Sequence, residues 1–476
     1  MDARMRTLSF AVLAFLCLLP SIGQAVYLNP EGVGQALIYP YYTAQSVSGS
    51  DMNTYVSLVN ERGGIKAVRV RFREGRSGRE VANFNVLLGT SDAWTAAVVP
   101  TSSGAKLVTI DQTCSDPAFT DVGGGRFELE LSAAAYSGVS SDGLGTDADR
   151  LREGYAEVIQ MSSVDGTSGA PLTCEALRNG QIINQGPAFD GLSGTLTLIN
   201  VATGMDFTAD ATALAGLTSR SIFRRAADPY PDFDAVEIDS TVGFVDDGRL
   251  VRGSAANGRI AVELALTKAS ISNEFVLDVG SRSATDWIVT FPTKRFHVDA
   301  SPGDPFVTSF IPGTRHVEAY LSGATREASG GTFQLVNGCG GTCSAFESSA
   351  DIRLPWASTV WSFRTGAPSA TPGTSDVVGS RNALIVTLPT ASENGFLTVT
   401  FGRMSERIPS TSMSATLTNI RDGLSESGAY ASIGLPAVGF MLRTFQNGAL
   451  SCGSSVCQGN YGGLFQHKWR RSISPR

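Results

Sequence analysis

The stretch of sequence that decides the fold is KAVRVRFREGRSGREVANFNVLL, residues 66–88. Its first part alternates between apolar and basic side chains, in the order Val68, Arg69, Val70, Arg71, Phe72 and Arg73. Residues 81–88 also alternate, and a connection that contains glycine and serine, 74–78, separates the two runs. Because side chains on a strand point to opposite faces with a period of two, this stretch predicts a β-hairpin.

Short runs of the same kind continue along the chain, separated by glycine, serine, asparagine and aspartate; examples are 94–99, 155–161, 286–291 and 396–401. Many short strands with frequent turn signals are typical of β-sandwiches. We therefore expect a mainly β protein with two antiparallel, immunoglobulin-like β-sandwich domains. Helix should be scarce, roughly 10–15% or less against the usual third.

The same patterns divide the chain into segments. We expect a signal peptide at 1–25, an N-terminal β-sandwich domain at 26–205, an irregular connector at 206–255 and a C-terminal β-sandwich domain at 256–476. The connector is inferred from weak periodicity and from the turn-like sequence DPYPD at 228–232.

The N-terminus has the three parts of a secretory signal. Arg4 and Arg6 precede an apolar run at 8–19, Pro20 ends it, and small residues occupy the cleavage positions in GQA, 23–25. This pattern is typical of a signal peptide, and the run is short for a membrane helix, so an N-terminal anchor is the less favoured interpretation. We expect the mature protein in the periplasm, at the cell surface or outside the cell.

One of the seven cysteines, Cys17, lies in the signal peptide. Six cysteines in an exported chain predict three disulfides. Two pairs of cysteines are close in sequence and are separated by small residues. The remaining two cysteines are then expected to pair with each other. The predicted pairs are Cys339–Cys343, Cys452–Cys457 and Cys114–Cys174. A zinc site built from the two local pairs is the less favoured alternative.

The arginines of the hairpin share one strand face. We expect Val68, Val70 and Phe72 to point inward and the arginines to point to solvent. An exposed face of Arg69, Arg71 and Arg73 is a possible ligand surface for an anionic polysaccharide. We favour the alternative, in which the solvent face pairs with carboxylates on the next strand.

No catalytic motif is present in the sequence. Its three histidines, His297, His316 and His467, are far apart, and the chain has no nucleophile elbow, P-loop or dinucleotide-binding motif. We therefore expect no catalytic residues, no metal centre and no cofactor.

Two acidic groups are possible calcium ligands. Asp228, Asp232 and Asp234 form one, and a second lies at 142–149. Calcium binds six to eight converging oxygens, and neither group matches an EF-hand loop. Solvated turns are therefore the favoured interpretation of both groups.

The net charge of −7 argues against a general affinity for nucleic acid. No apolar run after Ala25 is long enough for a membrane-spanning helix. An envelope polysaccharide or another surface protein is the expected kind of partner. Five aromatic residues are candidates for stacking on sugars, although a core position is favoured for each: Tyr39, Tyr41, Tyr42, Trp356 and Trp361.

Four segments resemble a family of exported proteobacterial proteins with no assigned activity. They are VYLNPEGVGQALIYPYYT (26–43), KAVRVRFREGRSGREVANFN (66–85), TDWIVTFPTKRFHVD (285–299) and NYGGLFQHKW (460–469). They are spread over most of the chain, and the third is the most specific. The resemblance implies a Gram-negative envelope or extracellular protein and supplies no catalytic residues.

These observations favour an exported, non-enzymatic protein of the cell envelope or surface with a structural or adhesive role. The alternative is an exported hydrolase or carbohydrate-binding protein that uses paired carboxylates or surface aromatics, which leave no linear motif. The shape of the surface discriminates between them. An aromatic-lined cleft with facing carboxylates favours the alternative, and an uninterrupted convex surface favours the structural role.

We predict that the signal peptide is cut after Ala25, which leaves Val26 as the first residue of the exported protein. N-terminal sequencing of the protein from the periplasm or medium measures this directly. An exported form that still begins at Met1 would refute the prediction.

Overall fold

The computed structural model describes residues 25–164, 173–179, 185–297, 317–327, 343–347, 352–367, 369–388, 392–401, 410–452 and 455–476. Strand makes up 57% and helix 8% of the structure, which confirms the mainly β class with little helix. The predicted signal peptide, apart from Ala25, lies outside the described residues. Within them, no helix is both long and apolar enough to cross a membrane.

The first part of the chain is a succession of strands: β1 (Tyr27–Leu28), β2 (Ala36–Thr43), β3 (Ser46–Val47), β4 (Ser50–Asp51), β5 (Asn53–Asn60), β6 (Ile65–Glu74), β7 (Glu80–Leu88), β8 (Ala93–Thr101), β9 (Gly104–Thr109), β10 (Cys114–Asp116), β11 (Thr120–Gly123), β12 (Arg126–Glu130), β13 (Glu153–Val164), β14 (Gln185–Gly186), β15 (Leu192–Asn200), β16 (Met205–Asp210) and β17 (Thr212–Ala215). Two short helices interrupt it, α1 (Ala148–Leu151) and α2 (Cys174–Arg178).

The second part adds further strands: β18 (Thr241–Asp246), β19 (Arg249–Ser254), β20 (Thr267–Lys268), β21 (Ser270–Val276), β22 (Ala284–Thr290), β23 (Val317–Glu327), β24 (Cys343–Glu347), β25 (Ile352–Leu354), β26 (Ser358–Thr365), β27 (Ser369–Gly373), β28 (Ala383–Leu388), β29 (Ser392–Phe401), β30 (Ser410–Asn419), β31 (Ser425–Ile433), β32 (Leu435–Pro436), β33 (Val438–Cys452), β34 (Ser455–Gln466), β35 (Lys468–Arg470) and β36 (Ser472–Pro475). Helix α3 (Gly258–Leu266) lies between β19 and β20.

Two antiparallel sheets of the first part pack face to face. One has the order β1-β17-β2-β13-β6-β7-β10, with β14 paired to β13, and is called the central sheet here. The other has the order β11-β12-β9-β8-β5-β15-β16. Their shared core contains Val68, Val70 and Phe72 from the central sheet and Leu58 and Trp94 from the opposite sheet. The structure thus has a sandwich core where the sequence predicts one, and it confirms the β6–β7 hairpin.

Three larger sheets follow in the second part. Their described orders are β18-β19-β30-β31-β36, β24-β23-β29-β21-β35 with β25 beside β23, and β27-β28-β26-β22-β33-β34. The last two enclose a core that contains Trp287, Trp361 and Phe401. Among the described strand pairs of these sheets, β26 and β28 are parallel and the others are antiparallel.

The predicted irregular connector, 206–255, is wrong in its secondary structure. Most of β16 and all of β17, β18 and β19 lie within it, and its longest stretch without helix or strand is 216–240. Moreover, the sandwich core of the first part also contains Ile288, Val360 and Phe440 from the second part. The domain bounds and the immunoglobulin-like topology stay predictions, but the two halves share apolar packing that the sequence pattern did not indicate.

The predicted pair Cys114–Cys174 lies at disulfide distance, with the two Cα atoms 5.4 Å apart. It connects β10, at the edge of the central sheet, to helix α2. Cys339 lies outside the described residues. The side chains of Cys343, Cys452 and Cys457 also lie outside them, so the two local disulfides stay predictions.

Candidate functional site

The arginine ladder, defined as Arg69, Arg71 and Arg73 on β6, is buried. The exposed fractions of these residues are 0%, 1% and 5%, so the prediction that this face points to solvent is wrong. The inward position of the opposite, apolar face is confirmed. The period of two correctly assigned residues to faces, but both faces of the central sheet are covered.

A segment without regular secondary structure covers the ladder. Residues 217–239, called the covering segment, connect β17 to β18 and place apolar side chains against the central sheet. Buried residues of the segment include Ile222, Phe223 and Phe233. The ladder is therefore not a ligand surface, and the envelope-polysaccharide partner proposed for it has no access there.

Carboxylates on the neighbouring strands pair with the ladder, as the favoured alternative predicts. Arg71 Nε lies 2.8 Å from Glu80 Oε2 on β7, and Arg73 Nε lies 2.6 Å from Glu157 Oε2 on β13. Both contacts are diagonal across the strands, because the register places Glu157 directly opposite Arg71 and Glu80 opposite Arg73. A buried charge requires such partners to offset its loss of hydration.

A third carboxylate and a fourth arginine join the network from distant parts of the chain. Asp232 of the covering segment lies 2.9 Å from Arg73 Nη2 and 2.5 Å from Arg295 Nη2. Arg295, in a 3₁₀ turn after β22, also contacts Glu157 Oε1 at 2.7 Å. The network thus connects the central sheet, the covering segment and the second part of the chain.

The arginines also satisfy the backbone of the covering segment. Arg69 donates hydrogen bonds to the carbonyl oxygens of Arg225 at 2.7 Å and Asp228 at 2.9 Å, and Arg71 donates to the carbonyls of Pro229 and Pro231. A buried segment without helix or strand has no regular backbone hydrogen-bond partners for its carbonyl groups. The guanidinium groups supply those partners, which explains how an irregular segment is accommodated in the core.

Burial by itself would raise the pKa of Asp232, but the guanidinium groups of Arg295, Arg73 and Arg71 hold it well below its usual range. Asp232 is therefore ionised at neutral pH and balances the arginines. This position excludes it from the predicted calcium site. Asp234 is exposed, and a carboxylate oxygen of Asp228 accepts the Tyr230 backbone N–H.

The other acidic group also contacts arginines. Asp142 pairs with Arg150, Asp147 with Arg76 and Asp149 with Arg152. Within the described ranges, no group of three or more His, Cys, Asp or Glu side chains is placed to hold a metal ion. The acidic residues that the sequence singles out thus act mainly as counter-ions and turn acceptors.

A groove of about 1180 Å³ lies on another side of the molecule. Its walls are β1 and β17 at the edge of the central sheet, the β18–β19 hairpin and the chain around β35. Ala25, the last residue of the predicted signal peptide, lines one wall of the groove in the uncleaved chain. Gly216, with φ of +65°, allows this close approach, because a Cβ atom there would lie 2.2 Å from the Ala25 carbonyl oxygen.

Aromatic residues line the groove. Tyr27 and Trp469 line it and are 37% and 43% exposed, and Phe244 contributes a partly buried ring. Exposed aromatic rings in a concave surface are typical of ligand sites. Four of the five aromatic residues predicted as candidates for stacking on sugars are instead buried in the core, namely Tyr39, Tyr41, Tyr42 and Trp361, and Trp356 is partly buried.

Charged groups of both signs also line the groove. The carboxylates of Glu31, Glu61, Asp190 and Asp210 come from the first part of the chain, and the cations of Arg252, Lys268 and Arg471 from the second. Burial raises the pKa of Asp190, and its carboxylate accepts the Gly216 N–H at 3.0 Å. The lining of the groove therefore combines apolar and polar surface, and its charged groups divide by sign between the two parts of the chain.

The histidines have separate environments. His467 lines the groove, and burial lowers its pKa to about 3, so the ring is neutral while its Nε2 contacts the Ile288 carbonyl at 3.1 Å. His297 is buried 2.8 Å from Glu263. His316 lies outside the described residues. The described histidines are thus not gathered in one site.

No protein-family model matches the chain, and no curated protein matches it.

We predict that Asp232→Asn destabilises the fold by about 3–5 kcal/mol, because it leaves buried guanidinium groups without their shared counter-ion. The matched control is Asp376→Asn, which breaks an ion pair with Arg364 in which both side chains are more than one third exposed. This exposed pair should cost about 1 kcal/mol or less. Urea unfolding of both variants measures the two costs, and equal costs would contradict the buried network.

The same prediction has a pH signature. Since the folded-state pKa of Asp232 lies below its unfolded value, its stabilisation is complete above about pH 4 and is lost as the pH falls further. Asp232→Asn should therefore lose less stability than the wild-type protein between neutral pH and acid. A parallel acid dependence of the two proteins would contradict this role.

Proposed function

We propose that this protein is exported and binds a glycan in the groove, as a non-enzymatic, adhesive component of the cell envelope or surface. The groove, with the exposed rings of Tyr27 and Trp469, is the observation that carries the proposal. It rests also on the signal-peptide pattern of residues 1–25.

The chemistry of the lining suits a saccharide. A sugar ring has an apolar face of C–H groups that packs on an aromatic ring, and hydroxyl groups at its edge that require hydrogen-bond partners. The groove offers both, because the carboxylates, Ser193 and Thr195 lie in the same lining as Tyr27 and Trp469. Its volume is large enough for several sugar units, since typical small-molecule pockets are about 300–1,000 Å³.

One observation favours the alternative function, a glycan hydrolase. Asp190 lies in the groove with a raised pKa, the property of a general acid, and three further carboxylates share the lining. A hydrolase would release shorter saccharides from a bound chain, whereas an adhesive protein would leave the chain intact. Product analysis after incubation with a bound oligosaccharide separates the two functions, and Asp190→Asn should abolish any cleavage.

We predict that Trp469→Ala weakens glycan binding about tenfold, which corresponds to about 1.4 kcal/mol, because a stacking surface in the groove is lost. The matched control is Tyr461→Ala, which removes an aromatic ring of similar exposure outside the groove. Isothermal titration with neutral and acidic oligosaccharides measures both variants. Unchanged binding by Trp469→Ala, or an equal loss in the control, would contradict the proposed site.

A further inference from the structure

Lys268 is a buried cation in the lining of the groove. It lies on β20, is 9% exposed, and its Nζ atom is 5.8 Å from the centre of the Trp469 ring. Among the residues that the structure describes, it has no carboxylate partner and no hydrogen-bond acceptor. Lysine is almost never this deeply buried unless its charge is paired, and Lys268 lies in the groove lining, where an anion from outside the chain can reach it.

The surroundings of Lys268 do not provide a negative charge. Burial, and then the neighbouring Arg471, lower the pKa of Lys268 to about 7. Arg471 itself donates to the carbonyls of Leu264 and Ala265, at 2.5 and 2.8 Å, where helix α3 ends. These carbonyls hold Arg471 in place beside Lys268, so two cations lie together in the groove wall that the second part of the chain forms.

An anion beside Lys268 would have two favourable electrostatic effects. It would pair with the ammonium group of Lys268, and it would reduce the repulsion between Lys268 and Arg471. A carboxylate or a phosphate fits, since each accepts several charge-assisted hydrogen bonds. The Trp469 ring next to Lys268 would at the same time hold the sugar ring that carries the anionic group.

We propose that Lys268 forms an anion-binding subsite of the groove, and that the glycan which this protein binds is an acidic saccharide with a carboxylate or phosphate group. The inference rests on the proposed function for the saccharide part of the ligand. The anion part rests on the position of Lys268 in the groove lining and on its ammonium group, which has no carboxylate partner among the described residues.

The test compares Lys268→Met with Lys468→Met. Methionine keeps most of the length of the lysine stem and removes the charge, and Lys468 is an exposed lysine on β35 outside the groove lining. The probes are trigalacturonic acid, its neutral methyl ester and inorganic phosphate, each titrated into the folded wild-type protein and both variants. Melting temperatures measured in parallel show that the variants are folded.

We expect wild-type protein to bind the acid at least tenfold more tightly than the ester, and to bind phosphate. Lys268→Met should lose the preference for the acid and the phosphate binding while its affinity for the ester stays, and Lys468→Met should resemble wild type. The comparison of the affinities of wild-type protein for the acid and the ester needs no variant. It can therefore refute the anion subsite even if Lys268→Met fails to fold.

The outcomes separate this inference from the proposed function. If wild-type protein binds acid and ester equally, or if Lys268→Met keeps the preference for the acid, the anion subsite is refuted and glycan binding stands. If phosphate binds through Lys268 and neither saccharide binds, the anion subsite stands and the glycan function is refuted. If none of the three probes binds, both are refuted.

Discussion

The guanidinium groups of Arg69, Arg71 and Arg73 lie between a β-sheet and a segment that has neither helix nor strand, and each needs partners there. Two carboxylates on adjacent strands supply part of the balance, and Asp232 of the covering segment supplies the rest together with backbone carbonyls. Removing any one contributor would leave a charge or a carbonyl buried without a partner, which costs more than the pair itself gains. The arrangement is therefore cooperative, and Arg295 extends it to the second part of the chain.

The groove depends on this arrangement through chain connectivity. One residue, Gly216, separates the covering segment from β17, and one residue, Ser240, separates it from β18; both strands are groove walls. Its two ends are joined by a hydrogen bond from the Asp239 N–H to the Leu217 carbonyl at 2.9 Å. Val26 then fixes β1 to β18, donating to the Thr241 carbonyl and accepting from the Gly243 N–H. Because the segment is held against the sheet, the distance between the walls is set by the core.

Local pattern was sufficient for part of the fold. The alternation over residues 66–88 predicted the hairpin and the apolar face, and the cysteine count predicted the proximity of Cys114 and Cys174. The prediction that the arginines face solvent failed for a physical reason. A period of two shows which residues share a face, but it carries no information about what covers that face. The cover comes from residues about 160 positions later, and nothing in a strand pattern encodes it.

The groove was missed for a related reason. Tyr27, Lys268 and Trp469 are more than 200 residues apart in sequence, and the topology brings them together. A local signal existed at Trp469, an aromatic residue among the charged residues of KWRR, 468–471, which is typical of a solvent-facing ring. Lys268 gave no signal, because the burial of a lysine is visible only once its neighbours are placed.

Native-state hydrogen exchange of the wild-type protein tests most directly whether the covering segment belongs to the core. The amides of Ile222 and Ala235, which donate to carbonyls within the structure, should exchange only through global unfolding, with the same free energy of opening as the central amides of β6. We expect equal opening free energies for the two regions across urea concentrations. Exchange of the segment by a separate, lower-energy opening while β6 stays protected would contradict it, since the arginine ladder would then tolerate exposure.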